Sequence, residues 1–172
     1  MPQLFPTASL SAMILATALA LPGRAQAQEP DSRSETYGQW TVQCETTETA
    51  QQCWMAQQVR DDNGNRLVQL EVGILGDQPR MVLIAPFGLL LAEGAGLVID
   101  GTPLQTLSVR TCLPAGCLFN AEPDAAFLGA FREGETLTIR LVAVEGSTPF
   151  NVELGLAGFA GAYDRLSALV AD

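Results

Sequence analysis

The sequence has no histidine and no lysine in its 172 residues. Without histidine it lacks the side chain that most often serves as general base and the usual nitrogen ligand of zinc. Ser-His-Asp and Cys-His arrangements therefore cannot be assembled. Without lysine no glycine-rich stretch can run into the Lys-Ser/Thr pair that cradles phosphate. The nine basic residues are all arginine, set against nineteen Asp and Glu. A chain this acidic repels phosphate backbones, so nucleic acid is not an expected partner, whereas a cationic surface is tolerated or favoured. Aromatics make up only 6% of the chain, too few for the two girdles of a membrane-spanning barrel. Long apolar runs are also scarce. The longest, Leu10 to Leu21, falls short of the roughly 20 residues that a spanning helix needs.

What that run does resemble is the apolar segment of a leader. It is followed by Pro22-Gly23 and then Ala25-Gln26-Ala27, an A-x-A cleavage pattern, although no Lys or Arg precedes it. Residues 1–27 are thus expected to be a signal peptide cut after Ala27. No cysteine near the cut offers a lipid anchor, and no second stretch is long enough to span a membrane. The remaining 145 residues are enough for one domain with a sizeable core. Loss of Arg24 with the leader leaves eight arginines against nineteen carboxylates, a formal charge of −11. The expected location is the periplasm or the medium. Residues 28–36, "QEPDSRSET", read as a flexible N-terminal arm, and 37–172 as a single domain.

Four cysteines remain: Cys44, Cys53, Cys112 and Cys117. An even count in an exported chain points to disulfides. A four-thiolate zinc site favours paired C-x2-C spacings, and a redox pair favours C-x-x-C at a helix start. The spacings here are eight and four residues. Of the three possible connectivities, the local one fits best. "GQWTVQC" and "CWMAQQV" read as a hairpin with Cys44 opposite Cys53, where Cα separations suit a disulfide. Pro114 and Gly116 turn Cys112 back on Cys117.

Period-2 patterns dominate the rest. Trp40, Val42 and Cys44 share one face, as do Val68, Leu70, Val72 and Ile74. Leu137, Ile139, Leu141 and Ala143 form another such set, and Phe150, Val152, Leu154 and Leu156 a fourth. "RMVLIA" and "LLLAEGAGLVIDG" are continuously apolar, as strands buried on both faces would be. Turn signals recur between them. The expected fold is all-β, an antiparallel β-sandwich or partly open barrel. Two helical pieces interrupt it. One runs from an Asp124 N-cap to a Gly134 stop, and the other is C-terminal with Phe159, Tyr163, Leu166 and Val170 on one face.

Candidates for chemistry are few. Carboxylates occur together at Asp61-Asp62 and at Glu133 with Glu135, and Asp100 stands alone. Paired carboxylates can hydrolyse glycosides, but on an acidic surface such pairs are ordinarily solvated charge. "DDNGN" places Asp61, Asn63 and Asn65 at alternate positions like a calcium loop. Glycine, however, falls fourth rather than sixth, and Val72 stands where a bidentate Glu is needed. A hairpin turn at Asn63-Gly64 accounts for it. Trp54, Phe87, Phe119 and Tyr37 are the aromatics not assigned to the core by pattern, and so the candidates for a binding face.

Taken in order, "QWTVQC", a second cysteine close behind, "APFGLLLAEGAGLVIDG", "CLPAGC" and "LAGFAGAYDRL" resemble the invasion-associated locus B family of alphaproteobacteria, over about residues 37–170. The resemblance implies an exported all-β protein with two disulfides. It brings no activity, cofactor or catalytic residue. The reading is a non-enzymatic envelope or secreted protein that binds another macromolecule, a protein or an envelope component. The alternative is a periplasmic binder of a small apolar or cationic ligand. No cofactor and no metal are expected.

Overall fold

The architecture is that of a computed structural model, which describes residues 32–46 and 50–171. The expected signal peptide and residues 28–31 lie outside the described residues. Eleven strands run in chain order: Ser32–Tyr37 (β1), Trp40–Thr46 (β2), Gln51–Arg60 (β3), Arg66–Leu75 (β4), Gln78–Ala85 (β5), Ala95–Ile99 (β6), Thr102–Leu107 (β7), Val109–Leu113 (β8), Gly116–Ala121 (β9), Thr136–Val142 (β10) and Pro149–Gly155 (β11). Ala125–Glu133 (α1) precedes β10, and Phe159–Ala171 (α2) follows β11.

The strands form two sheets. Seven run β1-β2-β3-β4-β5-β9-β8, and four run β11-β10-β6-β7. All named pairings are antiparallel. Neither sheet closes on itself, so the fold is a sandwich rather than a barrel. Register explains the core. Val42 faces Met55, Met55 faces Val72, Val72 faces Met81 and Met81 faces Ala121, one apolar row across five strands. All five are buried. The smaller sheet answers with Leu97, Ile99, Leu137, Ile139, Val152 and Leu154, in the same core. Inner faces that interdigitate in this way fill the roughly 10 Å between packed sheets. No polar or charged residue is buried among the described residues.

The helices close one end of this core. The Asp124 side chain accepts from the Phe127 backbone N–H at 2.7 Å and caps α1, as Asp does well at that position. Phe127 and Phe131 stack at 5.1 Å, and Phe131 meets Phe159 of α2 at 5.1 Å. Phe159 in turn packs edge-on to Trp40, with centroids 5.0 Å apart and rings at 83°, a favoured aromatic geometry. α2 lies across β1, β2, β3 and β4, on the face that carries Trp40. Its entry requires glycine. Gly158 has φ +94°, and a Cβ there would sit 2.0 Å from the Tyr37 carbonyl oxygen.

Three expectations are corrected. The arm drawn over 28–36 is in part strand: residues 32–36 belong to β1, paired along its length with β2. On this edge strand only Glu35 and Tyr37 are partly buried, and Glu35 meets an arginine rather than apolar core, so "SRSETY" shows no apolar alternation. The apolar run "LLLAEGAG" is not one buried strand. Leu91–Glu93 form a 3-10 turn, and strand begins only at Ala95. In α2 the buried face is Phe159, Ala162 and Leu166, while Val170 is 38% exposed, at the edge of a groove it lines with strand residues of the larger sheet.

Candidate functional site

Alternation sends every second residue of the large sheet away from the core. Two outward rows result. One runs Gln43–Trp54–Gly73–Arg80 and the other Thr41–Ala56–Glu71–Val82–Asn120, across β2, β3, β4 and onward. Thr41, Gln43, Trp54, Ala56 and Glu71 of these rows line a groove of about 500 Å³ with Glu45, Gln52, Gln58 and Gln69, whereas Gly73 and Arg80 line the adjoining one. Of the aromatics left open by the sequence, Trp54 is the one in this groove. It is half-buried, and it also lines a second groove of about 620 Å³ with Ile74, Leu75, Leu169 and Val170.

The groove's hydrogen-bonding groups are not equivalent. Towards the β3–β4 turn they are engaged. Gln69 accepts from Arg66 at 3.1 Å and donates to Glu71. Gln58 accepts from Arg60 at 3.0 Å. Beside Trp54 they are not: among the described residues the carboxamides of Gln43 and Gln52 make no hydrogen bond. Gly73, directly across from Trp54, leaves open space, since a Cβ built there meets nothing within 4 Å. The groove lining holds two carboxylates, Glu45 and Glu71, and no basic side chain.

The other aromatics go elsewhere. Phe119 is fully buried, and Phe87 is 61% exposed near Val144, whose backbone N–H donates to the Gly88 carbonyl at 2.8 Å. The Tyr37 hydroxyl donates to Glu35 at 2.8 Å. Glu35 also takes a two-pronged contact from Arg165, at 2.9 and 3.0 Å, and lies 2.6 Å from Arg33. These donors, Arg165 first, hold its pKa at about 2, well below the ordinary carboxylate value. The same bond pushes the Tyr37 phenol up. The cluster fastens β1 to α2.

The candidate carboxylates fall in two places, the β3–β4 turn and a cleft on the smaller sheet. Asp61 caps the β3–β4 turn: one carboxylate oxygen accepts from the Asn63 and Asn65 backbone N–H groups at 2.9 and 2.8 Å, and the other from the Asn65 side chain at 2.9 Å. Those bonds, led by the Asn65 contacts, lower its pKa. Gly64 adopts φ +83° in this turn, so the segment is a hairpin turn and Asp61 is its anchor. Asp62 is exposed beside it. Asp100 and Glu133 line one cleft of about 270 Å³ on the smaller sheet. Both Asp100 oxygens there accept backbone N–H groups, from Glu135 at 3.0 Å and Thr136 at 2.9 Å, which starts β10. Among the described residues no group of three or more Cys, Asp or Glu converges as metal ligands would. The cysteines are joined as Cys44–Cys53 and Cys112–Cys117, each across an antiparallel pair at Cα separations of 4.0 and 3.9 Å.

Sequence reasoning singled out Trp54 but missed its neighbours Gln43, Gln52 and Gly73. Their signal is positional. Each occupies the polar phase of a strand, and only the strand register shows that they adjoin.

A disulfide-stapled, two-sheet sandwich with one C-terminal helix is the class this geometry defines. Comparison with known proteins makes the class specific. The sequence model of the invasion associated locus B (IalB) protein family matches residues 40–167, and the chain belongs to that family. It is 37% identical over 156 residues to an invasion protein B homolog of Brucella abortus, covering 90% of this chain and 87% of the relative. It is 32% identical over 142 residues to invasion protein B of Bartonella bacilliformis, covering 80% and 76%. The crystal structure of invasion associated protein B from Bartonella henselae superimposes with a TM-score of 0.74 at 31% identity, over 81% of this chain and 97% of that one.

Proposed function

We propose that this chain is an exported, non-enzymatic envelope or secreted protein that binds another macromolecule through the outer face of its larger sheet. The observation that carries the reading is the groove around Trp54. An indole left half-exposed on an outward strand position, beside unengaged carboxamides, is contact chemistry, since tryptophan is enriched where binding energy concentrates. Support for export comes from the leader pattern ending at Ala27 and from four cysteines used as two staples, a use that persists in oxidising compartments. Among the described residues no helix is long and apolar enough to cross a membrane. The names of the relatives speak of invasion, a process of contact between surfaces. The better-placed carboxylates, Asp61 and Asp100, have both oxygens engaged, by backbone N–H groups and, for one Asp61 oxygen, by the Asn65 carboxamide, which leaves them poorly suited to proton transfer.

The test is site-directed photo-crosslinking in intact cells. A photoreactive residue at Gln43 or Gln58 should yield a discrete high-mass adduct. One at Asn151 or Glu153, on the exposed side of β11, should not. Adducts from β11 alone would overturn the assignment of the face. Mass spectrometry of the exported protein should also show Gln28 as its first residue, and an uncut leader would overturn the export reading.

A further inference from the structure

We infer that the Trp54 end of the groove is a subsite for a pyranose ring of a neutral glycan. This rests on the proposed contact face and names its ligand class. Four features converge. Trp54 supplies an apolar aromatic surface of the kind on which the C–H face of a sugar stacks. The carboxamides of Gln43, opposite it on β2, and Gln52, two residues earlier on the same face of β3, are without partners among the described residues. Each carboxamide both donates and accepts, which matches hydroxyl groups that do the same. The open position over Gly73, across from Trp54, leaves room for a ring at the level of the side chains.

Charge narrows the class. Glu45 and Glu71 stand in the groove without a basic residue among its lining, and Arg80, across from Gly73 in the adjoining groove, is already paired with Glu122, which disfavours sulfated, phosphorylated or uronate chains. Cations are less well matched than hydroxyls. Glu71 already accepts from the Gln69 amide, and carboxamides outnumber carboxylates beside the indole. An apolar ligand would leave two carboxamides desolvated and unpaired, at a cost that selects against it.

The experiment is NMR titration of the exported protein with chitotetraose, cellotetraose and maltotetraose, alongside tetragalacturonate and the deacetylated chitosan tetramer. The chain has two tryptophans, and Trp40 is fully buried, so the two indole N–H signals report separately. We expect at least one neutral tetramer to shift the Trp54 indole and not that of Trp40. Trp54→Ala should weaken binding at least tenfold. Gly73→Val should do the same by filling the open space while leaving the melting temperature unchanged or raised, because nothing contacts the new side chain and valine suits a strand. Binding of the chitosan tetramer alone would overturn the proposal in favour of a cation site. So would the absence of binding by every neutral tetramer, or neutral binding undiminished in Gly73→Val. Crosslinking from Gln43 is scored separately. A protein adduct lost in Trp54→Ala, with no glycan binding, would refute the glycan and leave the contact face standing.

Discussion

Replacing Gly158 by alanine tests how α2 is docked. The backbone there has φ +94°, and an added Cβ would meet the Tyr37 oxygen at 2.0 Å, the Tyr37 carbonyl carbon at 2.5 Å and the Gly38 nitrogen at 2.9 Å. Every obstacle is backbone, so no side chain can rotate away. A residue with a Cβ in the left-handed region costs about 1–2 kcal/mol, and forcing apart a packed contact about 1–3 kcal/mol more. The sum is about 3 kcal/mol. Urea unfolding followed by far-ultraviolet circular dichroism and by tryptophan fluorescence should show one transition. With a denaturant slope of about 2 kcal/mol per molar, its midpoint should fall by about 1.5 M. The control is Gly129→Ala in α1, where an added Cβ meets nothing within 4 Å. That change should raise stability by about 0.5–1 kcal/mol through helix propensity. Gly38→Ala supplies the reciprocal clash, 2.4 Å from the Ala157 oxygen at φ +59°. Because one separation of the two backbones relieves both clashes, the double variant should lose less than the two single losses added together. An unchanged midpoint in Gly158→Ala would refute the reasoning, as would strict additivity in the double variant.

Three further outcomes are expected. Glu35 has a folded pKa of about 2 against an ordinary 4.5, so its stabilising contribution is complete above about pH 4.5 and is lost as pH falls towards 2. Glu35→Gln should flatten the fall of stability between those values and leave its slope above pH 5 alone, and identical profiles would discount the Arg165 contact. The Cys112–Cys117 staple closes a loop of sequence separation 5, worth about 2 kcal/mol in the chain-entropy account. The paired substitution Cys112→Ser with Cys117→Ser should cost about that much and keep the fold. In non-reducing tryptic maps peptides 34–60 and 111–132 should each be two hydrogens lighter than when reduced, and a joined species would mean crossed pairing.

Strands that bury one face announce themselves. Val68, Leu70 and Val72 alternate with polar residues because one side meets the core, and Asp124 marks a helix start because its carboxylate must find an N–H. The elements that escape sequence reading lack such a one-sided environment. β1 is polar on both faces and is ordered by its partners, β2 and Arg165. The "LLLA" run is apolar throughout, so it has no period to separate a 3-10 turn from a strand. The candidate site is harder still. Trp54 stands out by type, but Gln43, Gln52 and Gly73 become its neighbours only through register, which is a property of paired strands rather than of any one segment.

The clasp between Glu35 and Arg165 joins positions 130 residues apart. A chain is synthesised from its first residue to its last at about 5–20 residues per second, so Glu35 waits on the order of 10 s for the residue that holds it. Until then β1, the edge strand of its sheet, is held through its pairing with β2 alone. The clasp on the first strand of the described residues therefore closes only after α2 has been made, and no nascent chain truncated before Arg165 can complete it. Under the proposed export, in which the chain would be threaded through a membrane before it folds, the late latch would keep the leading end unclasped for as long as the trailing end is still arriving.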